Sequence, residues 1–356
     1  MRLWRLPTAA LLALALLAAP ADARDVPRGW LGVQADGPLT RPGNALDSEY
    51  DRMAAAGAET VRTAFDWRAA QPSPEVTDLT ELDAVVAAAA KRRLRVLPVV
   101  HRTPGWAAVR PADGAASAPA GTEAYTRFLT ALVGRYGPRG SLWTERPDLP
   151  RTSIRDWQVW NEPNLTRYWT RQPFARPYVA LLRAARRALR AADPGARAIL
   201  AGLPNESWTA LRSVYRAGGR GSFDAVALHP YTGRPRNVIR LAELARRETR
   251  RFGDARVPIW ITELSWPASK GKTEGAPGFV TDERGQAARL RAGLSLLARF
   301  RRRLRIERVV WYTWLSEEGS QNAFDWSGLR RVRGGRLISA PSLSVFRSAA
   351  RRLEGR

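Results

Sequence analysis

Residues 154–164 read IRDWQVWNEPN, a short apolar run that ends in an amide, a carboxylate and a proline. The run has the composition of a buried strand, and Pro163 lacks the N–H that a further ladder hydrogen bond requires. Glu162 therefore stands where a strand ends and a loop begins. Taken alone, it is also explained as an ordinary solvated loop glutamate, so the rest of the chain has to decide its role.

Short apolar runs of this kind alternate with amphipathic segments rich in alanine and arginine along the whole chain. The predicted strands are Trp30–Gln34, Thr60–Ala64, Arg95–Val100, Asp156–Trp160, Ala198–Gly202, Ala225–Leu228, Ile259–Thr262 and Val309–Thr313. The predicted helices are Leu46–Ala56, Asp78–Arg92, Glu123–Arg135, Pro177–Ala192, Thr209–Ala217, Val238–Phe252, Asp282–Arg303 and Ser342–Leu353.

Eight strands alternating with eight helices predict an α/β fold, a (β/α)₈ TIM barrel. Parallel strands buried on both faces also explain why the apolar runs are unbroken. A doubly wound open sheet shows the same alternation, but the segment after the first strand, WLGVQADGPLT, lacks the glycine-rich phosphate fingerprint of that fold. We expect one catalytic domain over residues 24–356.

The first 23 residues have the features of a secretory signal peptide. Arg2 and Arg5 precede an apolar run to Ala19, and Ala21 and Ala23 are the small residues that a signal peptidase requires. The apolar run is too short to be a good transmembrane span. We expect cleavage after residue 23, secretion to the extracellular or periplasmic space and no stable membrane insertion. An uncleaved anchor is the alternative interpretation.

The composition excludes several kinds of chemistry. The chain has no cysteine, so it has no disulfide, no thiol nucleophile and no thiolate metal site. The formal net charge is +25, and all but three of the 58 basic residues are arginine. Most arginines fall in predicted helices, where they are expected to line solvated faces. The alternative is an anionic partner, for which an acidic glycan fits better than nucleic acid because no basic tail or basic-aromatic repeat is present.

In a (β/α)₈ barrel, catalytic groups lie where strands end and the following loops begin. Both histidines of the chain and many of its 14 tryptophans occupy such positions. In chain order, the strand ends present Arg62, Asp66 and Trp67; His101 and Trp106; Asn161 and Glu162; His229 and Tyr231; Glu263 and Trp266; and Trp311 and Trp314. Surface residues placed at random would not be sorted in this way.

Two of these groups indicate a specific reaction. Glu162 follows the fourth predicted strand and Glu263 follows the seventh, and one barrel places both ends around a shared cleft. Paired carboxylates suit cleavage of a glycosidic bond, since one protonates the leaving oxygen and the other attacks the anomeric carbon or activates water. Tryptophan rings offer stacking surface to the apolar face of a sugar.

These motifs resemble those of clan A of the glycoside hydrolases, retaining enzymes on (β/α)₈ barrels. Asn161-Glu162-Pro163 matches the clan's Asn-Glu-Pro motif, whose glutamate is the acid/base, and Glu263 in ITELSWP matches the nucleophile. Within the clan, VRTAFDW, HRTPGWA and VWNEPN are most similar to family thirty-nine, which includes β-xylosidases and bacterial endo-acting exopolysaccharide hydrolases. The LHPY segment and the spacing of Arg62 and Trp67 resemble the cellulase-like family five.

The resemblance implies a role for each matching residue. Glu162 is expected to hold a proton, with its pKa raised by the neighbouring nucleophile Glu263, which stays ionised. Residues expected to support the nucleophile or bind substrate are Arg62, His101, Asn161, His229, Tyr231, Trp311, Trp106 and Trp266. Among them, Trp311 is expected to form the platform beneath the cleaved sugar, whereas Trp106 and Trp266 would line flanking subsites.

Some of these positions have alternative interpretations. Arg62 is also compatible with a buried ion pair, His101 with a hydrogen-bonded core histidine, and Asp66 with a turn cap. No group of acidic residues and histidines has metal-ligand spacing, so we expect no catalytic metal and no cofactor.

The predicted function is that of a secreted, monomeric retaining β-glycosidase acting on a polysaccharide or oligosaccharide. Xylan, mannan, β-glucan and an exopolysaccharide are all compatible with these motifs, as are endo and exo action and transglycosylation. A carbohydrate-binding protein on an inactive barrel and a basic binder of anionic polymers are the alternatives.

Overall fold

A computed structural model of the chain describes residues 24–40, 46–274, 278–319 and 321–355. The predicted signal peptide, residues 1–23, lies outside this part of the chain. Within the described ranges, no helix combines the length and the apolar character that crossing a bilayer requires.

In the described part of the chain, nine parallel strands form one sheet that curls into a barrel. The strands are β1 (Leu31–Gln34), β2 (Thr60–Asp66), β3 (Arg95–His101), β4 (Asp156–Val159), β5 (Arg197–Ile199), β6 (Leu203–Pro204), β7 (Val226–His229), β8 (Ile259–Leu264) and β9 (Ile306–Trp311). Their order in the sheet is β5-β4-β3-β2-β1-β9-β8-β7-β6. β5 and β6 are successive pieces of one segment, and a parallel bridge between Ile199 and Ala225 links β5 towards β7. The two sheet edges therefore meet within the fifth barrel position, which confirms the predicted (β/α)₈ arrangement.

The helices that were predicted between these strands are all present. In chain order they are α1 (Leu46–Ala55), α2 (Trp67–Ala70), α3 (Thr80–Lys91), α4 (Glu123–Tyr136), α5 (Leu142–Glu145), α6 (Ala175–Ala192), α7 (Ser207–Arg216), α8 (Pro235–Arg251), α9 (Glu283–Leu304) and α10 (Pro341–Leu353). The one-turn helices α2 and α5 were not predicted, because four residues are too few to show a 3.6-residue period.

Helix α6 shows how the arginine-rich segments fold. Its buried residues include Val179, Leu182 and Leu189, which recur at helical spacing and face the sheet, while Arg183 and Arg187 are exposed. The high arginine content of this helix thus occupies a solvated face, as expected from the sequence.

The interior of the barrel is filled by side chains rather than open. A compact cluster inside it comprises Leu97, Ile199, Ala225, Ala227 and Trp260. The larger core lies between the outer surface of the strands and the surrounding helices. Strands that are buried on both faces explain the continuous apolar runs in the sequence.

A small second sheet, which was not predicted, follows the last barrel strand. It contains β10 (Leu315–Glu317), β11 (Arg330–Arg333) and β12 (Arg336–Ser339). β11 and β12 are an antiparallel hairpin around two consecutive glycines with positive φ, a hairpin signal that the sequence analysis missed. The guanidinium of Arg331, which is buried, donates to Glu283, Glu318 and Gln286 and so ties this sheet to α9.

Candidate active site

Arg62, on β2, organises the polar groups at the carboxyl ends of the strands. Its side chain is 2% exposed, and its guanidinium donates to the carboxylate of Glu263 at 2.7 Å and to the amide oxygen of Asn161 at 2.9 Å. Further hydrogen bonds reach Gln158 at 2.8 Å and Gln34 at 2.6 Å. One buried cation therefore joins the ends of four strands.

Glu263 lies at the end of β8 between two donors. Arg62 donates to its Oε1, and the hydroxyl of Tyr231 donates to its Oε2 at 2.6 Å. Burial, followed by the negative charge of Glu263, raises the pKa of Tyr231 well above its usual value, so the phenol stays protonated and remains a donor. Both contacts orient the Glu263 carboxylate, which an attacking group requires.

Glu162 follows β4 and is 2% exposed. Its Oε1 lies 2.7 Å from Nδ1 of His229, and its Oε2 accepts a hydrogen bond from Arg167 at 3.0 Å. Glu162 and Trp160 both have a positive φ, a conformation that is uncommon outside glycine and costs free energy. The backbone at the end of this strand is therefore held in an unfavourable geometry that directs the carboxylate inward.

The pKa of Glu162 does not shift in the direction expected from the sequence. Burial alone would raise it, but the hydrogen bond and charge of His229, and then those of Arg167, hold the pKa of this carboxyl below its usual value. The expectation of a raised pKa was thus wrong for the free protein. It overlooked the contact between His229 and Glu162 and, after it, Arg167, a cation that no strand-end motif contains.

The carboxylates and their supporting residues form a compact group. One ligand atom each from Glu162, His229 and Glu263 lie within 4.8 Å of one another, a grouping that a metal ion would also accept. The four carboxylate oxygens of the pair accept hydrogen bonds from Arg62, Tyr231 and Arg167 or lie at hydrogen-bond distance from His229. This arrangement fits an acid and nucleophile pair, and the absence of a metal remains a prediction.

His101 is the last residue of β3 and lies beside this group. No hydrogen bond joins it to Glu162 or Glu263 in the described part of the chain. It lies edge-on to Trp160, with ring centroids 6.4 Å apart. Burial, and then the charges of Arg102 and Arg62, lower the pKa of His101 to about 3, so the imidazole is neutral. These surroundings match the alternative of a core histidine better than a substrate ligand.

Two of the three tryptophans expected to contact sugar have no free face. Trp266 is 0% exposed, and its Nε1 donates to the carbonyl of Thr232 at 2.6 Å; Trp311 is 1% exposed, and its Nε1 donates to Ser327 at 3.1 Å. A fully covered ring cannot stack on a sugar, so the structure corrects both assignments to packing roles. Trp106 is partly exposed and packs edge-on to Trp67 at 5.9 Å.

A different set of aromatic residues lies beside the nucleophile. We call it the aromatic cluster, and it comprises Tyr231, Phe279, Tyr312 and Phe324. All four side chains are partly exposed, and the ring centroids of Tyr231 and Phe324 are 4.9 Å apart. Tyr231 was predicted as a site residue, but the other three rings were not, because they come from separate loops and only tryptophan was considered as a stacking surface for a sugar.

Three further residues of the site were not predicted, namely Gln34, Gln158 and Gly202. The two glutamines are polar residues inside otherwise apolar strands, a signal that was available in LGVQ and DWQV. Gly202 separates β5 from β6, and a Cβ there would collide with the imidazole of His229. The absence of a side chain at Gly202 therefore sets the position of His229 against Glu162.

The chain is similar to known proteins in sequence and in fold. The family model named Cellulase (glycosyl hydrolase family 5) matches residues 22–284. A comparison with curated proteins found no match.

Similar solved structures include a family 39 glycoside hydrolase from Bacteroides cellulosilyticus WH2, with a TM-score of 0.67 and 19% identity over 93% of this chain and 64% of that one. A GH39 β-xylosidase from Caulobacter crescentus has a TM-score of 0.63 and 20% identity over 94% and 72% of the two chains. GH5_18 from Streptomyces cattleya in complex with GlcNAc has a TM-score of 0.63 and 17% identity over 93% and 81%.

The chain thus spans less than two thirds of the length of the Bacteroides protein, and these identities show the fold. The predicted resemblance to clan A, with features of families 39 and 5, is confirmed. The chain belongs to the cellulase family, glycosyl hydrolase family 5, a family of O-glycosyl hydrolases as the sequence predicted.

Proposed function

We propose that the protein is a retaining β-glycoside hydrolase that cleaves a β-linked polysaccharide or oligosaccharide, with Glu263 as nucleophile and Glu162 as acid/base. The observation that carries the proposal is the position of Glu263 between Arg62 and Tyr231, with the Glu162 carboxylate alongside. Retaining enzymes place their carboxyl groups about 5–5.5 Å apart, whereas inverting enzymes leave about 6.5–9.5 Å for a water molecule. One oxygen of Glu162 lies within 4.8 Å of one oxygen of Glu263, and this close approach of single atoms favours the shorter, retaining separation of the carboxyl groups.

The first step forms a bond between an oxygen of Glu263 and the anomeric carbon. The glycosidic C–O bond breaks with its electron pair on the leaving oxygen, which takes the proton of Glu162. Arg62 and Tyr231 hold Glu263 in place as its charge is consumed. Asn161, whose Oδ1 is fixed by Arg62, has its amide nitrogen available as a donor to a sugar hydroxyl.

The second step releases the sugar from Glu263. Glu162, now ionised, accepts a proton from water as the water oxygen attacks the anomeric carbon, and the bond to Glu263 breaks. The carboxyl of Glu162 regains its proton and the carboxylate of Glu263 its charge. His229, buried beside both, keeps the Glu162 carboxyl oriented throughout.

The aromatic cluster supplies a partly apolar wall next to Glu263. Partly exposed rings at this position suit the C–H faces of a pyranose, so we assign the cluster the stacking role first expected of Trp266 and Trp311. The similar solved structures include β-xylosidases and a glucosidase, which makes xylosides and glucosides the first substrates to test.

The test uses 4-nitrophenyl β-glycosides together with xylan, mannan and β-glucan, and follows the anomeric configuration of the first product by proton NMR. We expect retention, and we expect Glu263→Ala to lose turnover but to form a glycosyl azide of inverted configuration when azide is added. An inverted product in the wild-type protein, or full activity in Glu263→Ala, would contradict the assignment.

Export of the protein is proposed on the sequence of residues 1–23 alone. The measurement is N-terminal sequencing of the protein recovered outside the cytoplasm, with Arg24 expected as the first residue. A mature protein that keeps Met1 would contradict cleavage. We also propose a monomer, because one of the similar solved structures is that of a monomeric β-xylosidase from Caulobacter crescentus CB15.

A further inference from the structure

Arg167 is an exposed cation that contacts the buried acid/base. Its side chain is 61% exposed, yet its Nη2 donates to Oε2 of Glu162 at 3.0 Å. The guanidinium carbon lies 4.8 Å from the ring centroid of Tyr168, its neighbour in sequence. The arginine therefore reaches from solvent over an aromatic surface to a catalytic oxygen.

This contact opposes the first catalytic step. Glu162 must carry a proton to donate it, and a guanidinium at hydrogen-bond distance favours the ionised form instead. Oε1 of Glu162 is engaged with His229 in the protein interior, so Oε2 is the oxygen that faces the cleft. A substrate whose leaving oxygen approaches Oε2 has to displace Arg167.

The side from which the substrate approaches Glu162 indicates which part of the substrate displaces Arg167. The proton donor lies beside the glycosidic oxygen, so a group at Oε2 is on the leaving-group side of the cleaved bond. Separating Arg167 from a carboxylate is least costly when another carboxylate takes its place. A planar guanidinium binds a carboxylate through two parallel hydrogen bonds, and the ring of Tyr168 supports it while it moves.

We propose that Arg167 is a specificity-determining residue that binds the carboxylate of a uronic acid on the leaving-group side of the cleaved bond. The inference rests on the proposed hydrolase function and names its substrate class, an acidic β-glycan. On binding, the uronate replaces Glu162 as the partner of Arg167, which leaves Glu162 free to take up a proton. The net charge of +25 attracts such a polymer from solution.

The test measures direct binding by isothermal titration calorimetry, so its readout does not depend on turnover. The probes are D-glucuronate, D-galacturonate and D-mannuronate, each compared with its neutral parent sugar. Because Arg167 is 61% exposed, water screens its charge pairs, so we expect at least one uronate to bind about three- to fivefold more tightly than its parent. D-glucose 6-sulfate is the comparison for an anion of different geometry.

Two variants and a matched control identify the residue responsible. In Arg167→Gln, the dissociation constants of the uronate and its parent sugar should differ by no more than about twofold, since the paired charge is lost. Arg171→Gln removes an exposed arginine from the same loop and lowers the net charge equally, and it should keep the discrimination. Glu162→Gln should tighten uronate binding, because the competing carboxylate is gone.

Several outcomes would overturn the inference. One is that every uronate binds no more tightly than its neutral parent sugar, and another is that the sulfate binds more tightly than all uronates. The others are that the preference for a uronate over its parent survives in Arg167→Gln, or that it is lost in Arg171→Gln. These results leave the retaining mechanism intact if Glu263→Ala still loses turnover. Conversely, the protein could prefer uronates through Arg167 and yet hydrolyse no glycoside. That result would contradict the hydrolase function and leave only the uronate site.

Discussion

The ends of β4 and β8 present two buried glutamates whose partners differ in kind. Glu263 is held by Arg62 and Tyr231, so its main partner is a cation that is 2% exposed and makes four hydrogen-bonded contacts. Glu162 is held by His229, a titratable ring, and by Arg167, which is 61% exposed. The nucleophile is thus held by a buried cation that has no route to solvent, whereas the acid/base can exchange its exposed partner as the reaction requires.

The largest expected effect is a loss of activity that differs between variants of Glu263 and Glu162 when the leaving group of the substrate is changed. Removing a nucleophile costs on the order of 10⁶-fold in turnover, so Glu263→Gln should be inactive on both 4-nitrophenyl and 2,4-dinitrophenyl glycosides. Losing general acid catalysis costs about 10²–10⁴-fold, and only where the leaving group needs a proton. Glu162→Gln should therefore keep most of its kcat/KM on the dinitrophenyl substrate, whereas its kcat should fall because the second step loses its base. Steady-state kinetics on both substrates check this, and equal losses in the two variants would remove the distinction.

The next largest effect is on stability and concerns Arg62, the buried partner of Glu263. Arg62→Ala leaves the buried charge of Glu263 without its cation, which typically costs about 3–5 kcal/mol in the free energy of unfolding. Urea denaturation measures it. Arg62→Lys keeps the charge but lacks the planar fork that reaches Asn161, Gln34 and Gln158, so it should recover only part of the stability. A fully stable Arg62→Ala protein would contradict the central role given to this residue.

A smaller loss of stability is expected from disturbing the packing around His229, the buried partner of Glu162. Gly202→Ala places a methyl group against the imidazole of His229, and overpacking of this kind costs about 1–3 kcal/mol. Turnover should fall as well, because His229 moves away from Glu162. The matched control is Gly134→Ala in α4, where nothing lies near the added methyl and alanine is the better helix former. If both alanine variants behave alike, Gly202 has no special role.

The smallest effect is a shift in pH dependence. Arg167 helps to hold the pKa of Glu162 below its usual value, so Arg167→Gln raises that pKa and keeps the acid protonated to higher pH. The alkaline limb of kcat/KM for a neutral aryl glycoside should move upward, by less than about one pH unit because Arg167 is largely exposed to solvent. A profile that stays in place or moves to lower pH would show that Arg167 does not influence the acid/base.

The positions of polar residues at the strand ends were predicted correctly, whereas the burial of rings at the same strand ends and the contacts of loop residues were not. Arg62, Asn161 and His229 are on or directly after strands, and the alternation of strands and helices places strand ends at one edge of the barrel. Arg167 and Phe279 are on long loops, where no periodicity relates position in the sequence to position in space. The burial of Trp266 and Trp311 was missed for a related reason, since the chain that covers them comes from elsewhere in the sequence.

The sequence by itself determined the barrel, its single set of strand ends and the pairing of Glu162 with Glu263. It could do so because burial and backbone hydrogen bonding leave their pattern in local residue order. Only the tertiary structure decided which charges surround each carboxylate, and hence that the pKa of Glu162 is lowered rather than raised in the free protein. A pKa depends on charges within a few ångströms, and Arg167 reaches Glu162 through a loop conformation that no local pattern specifies.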